Sequence, residues 1–281
     1  MLKGTIFILK YQIFFVLLHK NTISMNKTTQ NAGLFACLLL TSACSSHYTL
    51  TDISQYRIVV DKHYDAQPHQ EAMAFIAPYK AQVDSVMGPV VGRVEHNMIV
   101  DRPESELSNL LSDILMWAAK DYHEKPDFAI YNMGGIRADL TKGDVTYGDV
   151  LAVAPFENKI SFTTLSGQKV IELFEQIARR GGEGVSHGVK LVISADGKLL
   201  SASLNGKSID PKGSYRVSTI DYLLQGNDGM PALSEGTDQV ILQSVDSNTR
   251  FIIMNYFKEK AAKGEVVSAK LEGRITVENN K

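Results

Sequence analysis

The chain has 281 residues, of which 44% are apolar and 21% are charged, with a formal net charge of −2. This is an ordinary globular composition, long enough for one large domain or two small ones. The near-neutral charge argues against a surface that binds nucleic acid, so we expect no nucleic-acid partner.

The first 44 residues predict a targeting segment. From Met25 the sequence has a basic residue at Lys27, an apolar run at 34–40, and small residues before Cys44. This order is typical of a secretory signal, and a cysteine after small residues is typical of a bacterial lipoprotein signal. We therefore expect a misassigned extension before a true start at Met25, and a lipid on Cys44. The alternative is an uncleaved membrane anchor, because a second apolar run, interrupted by Lys10, comes first.

A lipid on Cys44 would anchor the protein outside the cytoplasm, on the periplasmic face of a bacterial membrane or at the cell surface. The lipid would be its only contact with the membrane. Both cysteines, Cys37 and Cys44, lie in this leader. A mature chain that begins at Cys44 would therefore have no disulfide and no cysteine metal site. Residues 45–69 are polar and predict a tether, and residues 70–281 predict one domain.

Apolar periodicity predicts the elements of this domain. The predicted helices are 70–87, 104–120, 167–179 and 248–260. The predicted strands are 89–94, 97–100, 127–132, 159–165, 189–193, 199–204, 215–219, 239–244 and 271–277. The helices and strands do not follow a strict βαβ rhythm, so we expect an α+β fold with mixed sheets and helices packed outside.

The sequence "NMGGIR", residues 132–137, follows a predicted strand. Gly134 and Gly135 can adopt positive φ, and successive N–H groups in such a turn can converge on an anion. Arg137 adds a guanidinium, which suits phosphate or carboxylate. Taken alone, this short pattern is more often a tight turn with an arginine in a salt bridge.

A second glycine-rich loop, "DYLLQGNDGM", holds Asp228 between two glycines. Such a carboxylate can accept hydrogen bonds from two hydroxyls, as a ribose diol would offer, or it can cap a turn. Phe156 follows a proline and would be either an exposed stacking platform or part of the core. By themselves, these two residues favour the structural interpretation.

Together the segments resemble a known family. "NMGGIRADLTKGDVTYGDVLAVAPFENKI", "LSGQKVIELFE" and "STIDYLLQGNDGM" resemble the C-terminal, substrate-binding domain of the 5'-nucleotidase/UDP-sugar hydrolase family. "ESELSNLLSDI" is similar to a helix of that domain, with Ser108 in place of a glycine. The order and spacing of the segments agree over about residues 70–278. The resemblance implies a four-layer α-β-β-α domain.

The resemblance also implies a nucleoside pocket. Phe156 and Tyr222 would stack on the two faces of the base, each contributing about 1–3 kcal/mol by analogy with base–aromatic stacking elsewhere. Asp228 would accept the ribose hydroxyls, and Asn132 would form a hydrogen bond with the nucleoside. The expected ligand is therefore a nucleoside or a nucleotide.

On the phosphate side, the resemblance implies that Gly134 and Gly135 let the backbone approach the ligand and that Arg137 faces the phosphate. The family has a further arginine shortly before the helix predicted from residue 104. Arg102 is the nearest match, one position out of register.

Two residues depart from the family pattern. Met133 replaces the first glycine of the first loop, and Asn227 replaces a glycine in the second. If residue 133 required positive φ, a methionine there would cost about 1–2 kcal/mol of backbone strain. Asparagine tolerates that conformation better than most residues.

Family enzymes cleave phosphate esters with a separate N-terminal metallophosphatase domain that holds two metal ions. In this chain residues 61–63 fit one ligand pattern of that domain, and no other segment supplies the rest. The seven histidines have no familiar metal-ligand spacing. We interpret residues 61–63 as a chance match. We expect no catalytic residue, metal site or cofactor in this chain, and divalent metals only in a partner.

Three functions remain open at this point. The favoured one is a nucleotide-recognition subunit of a split 5'-nucleotidase, inactive alone, with a separate metallophosphatase that docks near the Arg137 loop. The second is a stand-alone lipoprotein that binds nucleosides or nucleotides. The third is a degenerate scaffold that no longer binds, suggested by Met133 and Asn227.

Overall fold

The computed structural model describes residues 53–59, 61–62 and 69–278. The chain separates into two units, Met1–Gln67 and Pro68–Lys281. The expected lipidation site, Cys44, lies outside the described residues, as does most of the leader and tether. Among the helices of the described residues, none has the length and apolar character that crossing a bilayer requires.

In the described part of the second unit the chain forms six α-helices and eleven β-strands. The helices are α1 (Gln70–Met87), α2 (Glu106–Ala118), α3 (Tyr147–Val153), α4 (Gly167–Arg179), α5 (Asp221–Leu224) and α6 (Thr249–Ala262). The strands are β1 (Val90–Val94), β2 (Phe128–Tyr131), β3 (Gly143–Thr146), β4 (Ile160–Ser166), β5 (Gly184–Val185), β6 (Val189–Ser194), β7 (Leu199–Leu204), β8 (Lys207–Ser208), β9 (Ser214–Ile220), β10 (Thr237–Ile241) and β11 (Ile275–Glu278).

Three sheets organise these strands. A five-stranded sheet has the order β10-β4-β9-β2-β5, a four-stranded sheet has the order β11-β6-β7-β8, and β1 pairs with β3. In the five-stranded sheet β2 and β9 are parallel, whereas the other pairs are antiparallel. In the four-stranded sheet β11 and β6 are parallel. The expected α+β class with mixed sheets is confirmed.

Helices α2 and α4 hold the five-stranded sheet in place. Helix α2 begins with a capping box between Ser105 and Ser108, which satisfies N–H groups that the first turn leaves unpaired. It lies against β2, β5 and β9, whereas α4 lies against strands of both larger sheets. The ring of Phe174 on α4 lies 5.5 Å from the ring of Phe128 on β2, and both side chains are fully buried.

One expected strand is absent, and one short helix was not predicted. Residues 97–100 do not form a strand, because only Met98 pairs, through an isolated bridge to Leu140. Residues 147–153, for which no element was predicted, form α3. That short helix is capped by Thr146 and Asp149, which bond to each other's backbone N–H groups.

The turn after α4 brings a charged residue into the interior. Gly181 and Gly182 adopt φ angles of +76° and +113°, which glycine tolerates without a Cβ clash. Glu183 follows with its side chain buried, and the chain then enters β5. A Cβ atom at Gly182 would lie 2.2 Å from the carbonyl oxygen of Pro103. The turn therefore has room only for glycine.

Gly182→Ala and Gly143→Ala form a matched pair of substitutions. The two positions have similar φ angles, +113° and +120°, so the backbone strain is similar. A Cβ atom at Gly143 would meet nothing within 4 Å. We expect Gly182→Ala to lower the free energy of unfolding by about 1–3 kcal/mol more than Gly143→Ala does, because of the added overlap. Urea denaturation followed by the fluorescence of Trp117 measures the difference, and equal losses would contradict the clash.

Candidate functional site

Four segments meet at one edge of the five-stranded sheet. Because β2 and β9 are parallel, their carboxyl ends, at Tyr131 and Ile220, lie side by side. The antiparallel neighbours begin at the same edge: Ile160 of β4 pairs with Ile220, and Gly184 of β5 pairs with Tyr131. Loops at the carboxyl ends of parallel strands commonly form binding sites. Here they are joined by the two segments that lead into β4 and β5.

These loops enclose a cavity of about 240 Å³. Six of the residues singled out in the sequence contribute to its wall, together with two that were not. The lining residues are Asn132, Gly134, Gly135, Phe156, Asn158, Arg180, Tyr222 and Asp228.

Asp228 is held in this wall by two donors. The Asn132 Nδ2 atom donates to Oδ2 at 2.7 Å, and the Tyr222 hydroxyl donates to Oδ1 at 3.0 Å. The residue adopts φ of +54° between Gly226 and Gly229, which also have positive φ. Each carboxylate oxygen retains a lone pair, because an ionised carboxylate accepts about four hydrogen bonds. Asp228 can therefore accept hydroxyl groups from a ligand.

The hydrogen bond from Tyr222 to the Asp228 carboxylate also raises the pKa of the Tyr222 hydroxyl above its usual value. The phenol therefore remains protonated and continues to donate at neutral pH. Its ring keeps a fixed position at the cavity because the hydroxyl is bonded at one end and α5 carries the backbone at the other.

Two aromatic side chains are exposed at the cavity. Phe156 is 48% exposed and Tyr222 is 38% exposed, so Phe156 is not a core residue. The backbone beside Phe156 is fixed by Arg250, whose Nη2 donates to the Pro155 carbonyl at 2.6 Å and whose Nε donates to the Ala154 carbonyl at 3.2 Å. Exposed rings on a fixed backbone offer flat surfaces for a planar ligand.

The first glycine loop differs from the expected anion-binding turn. Residues Met133–Gly135 form a single 3-10 turn, and Gly134 and Gly135 do not have positive φ. The N–H groups of residues 135, 136 and 137 donate to carbonyl groups of Asn132, Met133 and Val153. They are therefore unable to converge on an anion.

Gly135 is required for a different reason. A Cβ atom there would lie 2.6 Å from Oδ1 of Asn132, whereas one at Gly134 would lie 3.8 Å from Oδ2 of Asp228, an ordinary contact. The absence of a side chain at Gly135 therefore lets Asn132 reach Asp228.

The two departures from the family pattern do not strain the backbone. Met133 is buried without positive φ, so the condition for a strain penalty is not met. Asn227 also lacks positive φ, and its Nδ2 donates to the Tyr222 carbonyl at 2.9 Å. The side chain of Asn227 thus stabilises the second loop.

The two predicted arginines lie outside the cavity wall. Arg137 is exposed beside it, where its Nη1 donates to the Gly134 carbonyl at 3.3 Å. Arg102 points instead to the turn after α4, donating to Oε1 of Glu183 at 2.5 Å and to the Arg180 carbonyl at 2.9 Å. Arg102 does not line the cavity, and its Nε and one donor of Nη2 are used within the protein. Its contact with a ligand stays a prediction.

Sequence reasoning missed Arg180, Asn158 and Glu183. Arg180 and Glu183 flank a glycine pair that was interpreted only as the end of a helix. Asn158 lies two residues after Phe156, in a segment that the family resemblance had already marked. The local signal was therefore present for Asn158, whereas the other two depend on contacts between distant segments.

Similarity to known proteins identifies the family of this chain. Residues 90–235, just over half of the chain, match the family model described as "5'-nucleotidase, C-terminal domain". The chain therefore belongs to this family.

Three individual proteins are similar to the chain at sequence identities of 26–28%. The chain is 28% identical over 186 residues to Protein UshA of Escherichia coli K12, covering 64% of this chain and 33% of the relative. It is 26% identical over 232 residues to the cell wall protein Lmo0130 of Listeria monocytogenes, covering 74% and 29%. The structure is similar to a 5'-nucleotidase precursor from Thermus thermophilus, with a TM-score of 0.63, 26% identity, and 75% and 43% of the two chains covered. The chain thus spans about a third of the length of the curated relatives it matches.

Proposed function

We propose that this chain is the nucleotide-recognition domain or subunit of a split extracytoplasmic 5'-nucleotidase that acts in nucleotide catabolism. The observation that carries the proposal is the Asp228 carboxylate, held by Asn132 and Tyr222 in a cavity with two exposed aromatic rings. Membership of the 5'-nucleotidase C-terminal domain family supports a nucleotide-handling role.

The groups in the cavity, together with Arg137 beside it, match the parts of a nucleotide. Phe156 and Tyr222 would stack on the base, since every base has a flat aromatic face. The free lone pairs of Asp228 would accept the hydroxyls of the ribose. Arg137, exposed beside Gly134, would bind the phosphate with its permanent charge. This assignment leaves the phosphate at the solvent side, where a second protein can reach it.

The hydrolysis itself is assigned to a metallophosphatase partner with divalent metals. Within the part of the chain that the structure describes, no group of three or more His, Cys, Asp or Glu side chains is arranged to hold a metal ion. Asp61 is described and His63 is not, so the 61–63 segment remains an interpretation from the sequence. A two-metal centre in the partner would activate the attacking water and stabilise the leaving oxygen.

A lipid on Cys44 would place the domain outside the cytoplasm. The leader sequence supports this position, and one relative carries the name of a cell wall protein. The tether of residues 45–69 would then separate the domain from the membrane.

A stand-alone binding lipoprotein is the second candidate function. It is favoured by the fact that the cavity and its hydrogen bonds form from this chain alone. Binding without any partner fits both candidates, whereas activity in the presence of a phosphatase fits only the first.

Calorimetric titration of the full chain in mild detergent with adenosine and AMP tests the pocket. We expect Phe156→Ala to lower the affinity for both ligands by about 5- to 150-fold, because one stacking surface is lost. We expect Arg137→Ala to lower the affinity for AMP by about 10- to 100-fold and that for adenosine by less than about 3-fold, because Arg137 contacts only the charged end of the ligand. Arg93→Ala, which removes an exposed arginine paired with Asp144, is the control. Binding of neither ligand by the wild type would refute the proposal.

Addition of a separately expressed metallophosphatase tests the split enzyme. Hydrolysis of AMP, measured as phosphate release, should rise at least about tenfold when the chain is added and should disappear with a metal chelator. The chain with Arg137→Ala should give a smaller increase. Hydrolysis that is independent of the chain would favour the stand-alone binding protein.

Fractionation of bacterial cells tests the lipid anchor. Cys44→Ser should move the protein from the membrane pellet to the soluble fraction, because Cys44 is the only residue expected to carry the lipid. Cys37→Ser, which changes the other leader cysteine, should leave it in the pellet. A membrane-bound Cys44→Ser protein would instead indicate an uncleaved anchor.

A further inference from the structure

Arg180 lies in the cavity wall next to Asp228. The Arg180 Nη2 atom is 3.8 Å from Oδ2 of Asp228, which is too long for a hydrogen bond. Within the described part of the chain, the side chain of Arg180 donates one hydrogen bond, from its Nε. Its two terminal nitrogens therefore retain donors, and Nη2 lies beside Asp228 in the cavity wall.

Buried Glu183 fixes the position of this guanidinium. Its carboxylate is fully buried, and Oε1 accepts from Arg180 Nε at 2.6 Å and from Arg102 Nη2 at 2.5 Å. The other oxygen, Oε2, accepts from the backbone N–H of Met133 at 2.6 Å. Short hydrogen bonds between charged groups are among the strongest in proteins. Glu183 therefore couples the direction of Arg180 to the loop that carries Asn132.

We infer that Arg180 and Asp228 together bind one hydroxyl of the ligand's ribose, so that the cavity distinguishes ribonucleosides from deoxynucleosides. In this inference Arg180 is a specificity-determining residue and Glu183 is its positioning residue. The inference rests on the proposed function, since it assumes a nucleoside in the cavity.

The separation of the two side chains fits a single oxygen atom. An oxygen about 2.8 Å from both Nη2 of Arg180 and Oδ2 of Asp228 closes the 3.8 Å gap with normal hydrogen-bond lengths. Arginine only donates and an ionised carboxylate only accepts. A hydroxyl satisfies both because it donates to Asp228 and accepts from Arg180. A deoxy carbon satisfies neither, so both charged groups would lose a partner.

The charges of the cluster argue against a phosphate at Arg180. Two positive side chains, Arg102 and Arg180, are matched by two negative ones, Glu183 and Asp228, within one network of contacts. A phosphate here would face the Asp228 carboxylate without excess positive charge, and like charges at this distance repel. A neutral hydroxyl has no such cost. Arg137, outside the network, remains for the charged end of the ligand.

Titration with three nucleosides tests the inference. The full chain in mild detergent is titrated with adenosine, 2'-deoxyadenosine and 3'-deoxyadenosine. We expect the wild type to bind adenosine about 10- to 100-fold more tightly than at least one deoxy form, because hydrogen bonds to charged groups are lost. Arg180→Gln should reduce that ratio to within about 3-fold while leaving the affinity for the deoxy form within about 3-fold of the wild type.

Two further variants separate specificity from stability. Arg179→Gln removes the neighbouring arginine, which is exposed and does not line this cavity, and should keep the wild-type ratio. Glu183→Gln should lower the ratio because Arg180 loses its charged anchor. The ratio compares two ligands on one protein, so a general loss of folded protein does not change it. Thermal denaturation of each variant confirms that it is folded.

The outcomes are distinguishable. An unchanged ratio in Arg180→Gln, or equal affinity of the wild type for all three nucleosides, would overturn this inference and leave the proposed function standing. Failure of the wild type to bind adenosine and AMP would overturn both. Loss of the ratio in Arg180→Gln and its retention in Arg179→Gln would support the inference.

Discussion

The parallel pairing of β2 with β9 is the constraint on which the cavity depends. It places the carboxyl ends of two strands side by side, and the antiparallel strands β4 and β5 begin at the same edge. A one-residue slip in this register would turn every side chain of a strand to the opposite face. The buried side chains Phe128 and Val217, which are paired on β2 and β9, make such a slip costly. The geometry of the site thus follows from the packing of the core.

The buried carboxylate of Glu183 is a second constraint on the geometry of the site. Ionised groups are rarely fully buried unless they are paired and hydrogen-bonded. Glu183 has three donors, from Arg102, Arg180 and the Met133 backbone. These donors come from three separate parts of the chain. The carboxylate therefore fixes the position of one loop relative to the others without occupying the cavity.

Periodicity in the sequence was sufficient for the long helices. The bounds expected for 70–87 and 167–179 are those of α1 and α4, because apolar spacing and a preceding cap mark a helix locally. The short α3 was missed because seven residues hold too few turns to show a period. The strand expected at 97–100 was wrong because an apolar run does not show whether a partner strand exists. Helix α1 shows that periodicity predicts a helix but not its burial. Its apolar spacing predicted the helix correctly, yet no residue of α1 is buried.

The site was partly predictable. Asn132, Phe156, Tyr222 and Asp228 could be found because they lie in segments that the family resemblance covers, and all four line the cavity. The resemblance did not give the reason for Gly135, which depends on a close approach to a side chain rather than on φ. Arg180 could not be found in this way, because its role comes from contacts with residues far away in sequence.

The edge-of-sheet arrangement also links ligand occupancy to the cooperativity of folding. Asn132, Phe156 and Tyr222 belong to segments that are far apart in the chain and are attached to different strands. A molecule that contacts all three can do so only while those strands remain paired, so it binds the native state and not the unfolded one. Such a ligand at about one hundred times its dissociation constant would add about 2.7 kcal/mol to the free energy of unfolding. The melting temperature of the domain is therefore a readout of occupancy that requires no catalytic turnover and responds to a ligand whatever its base.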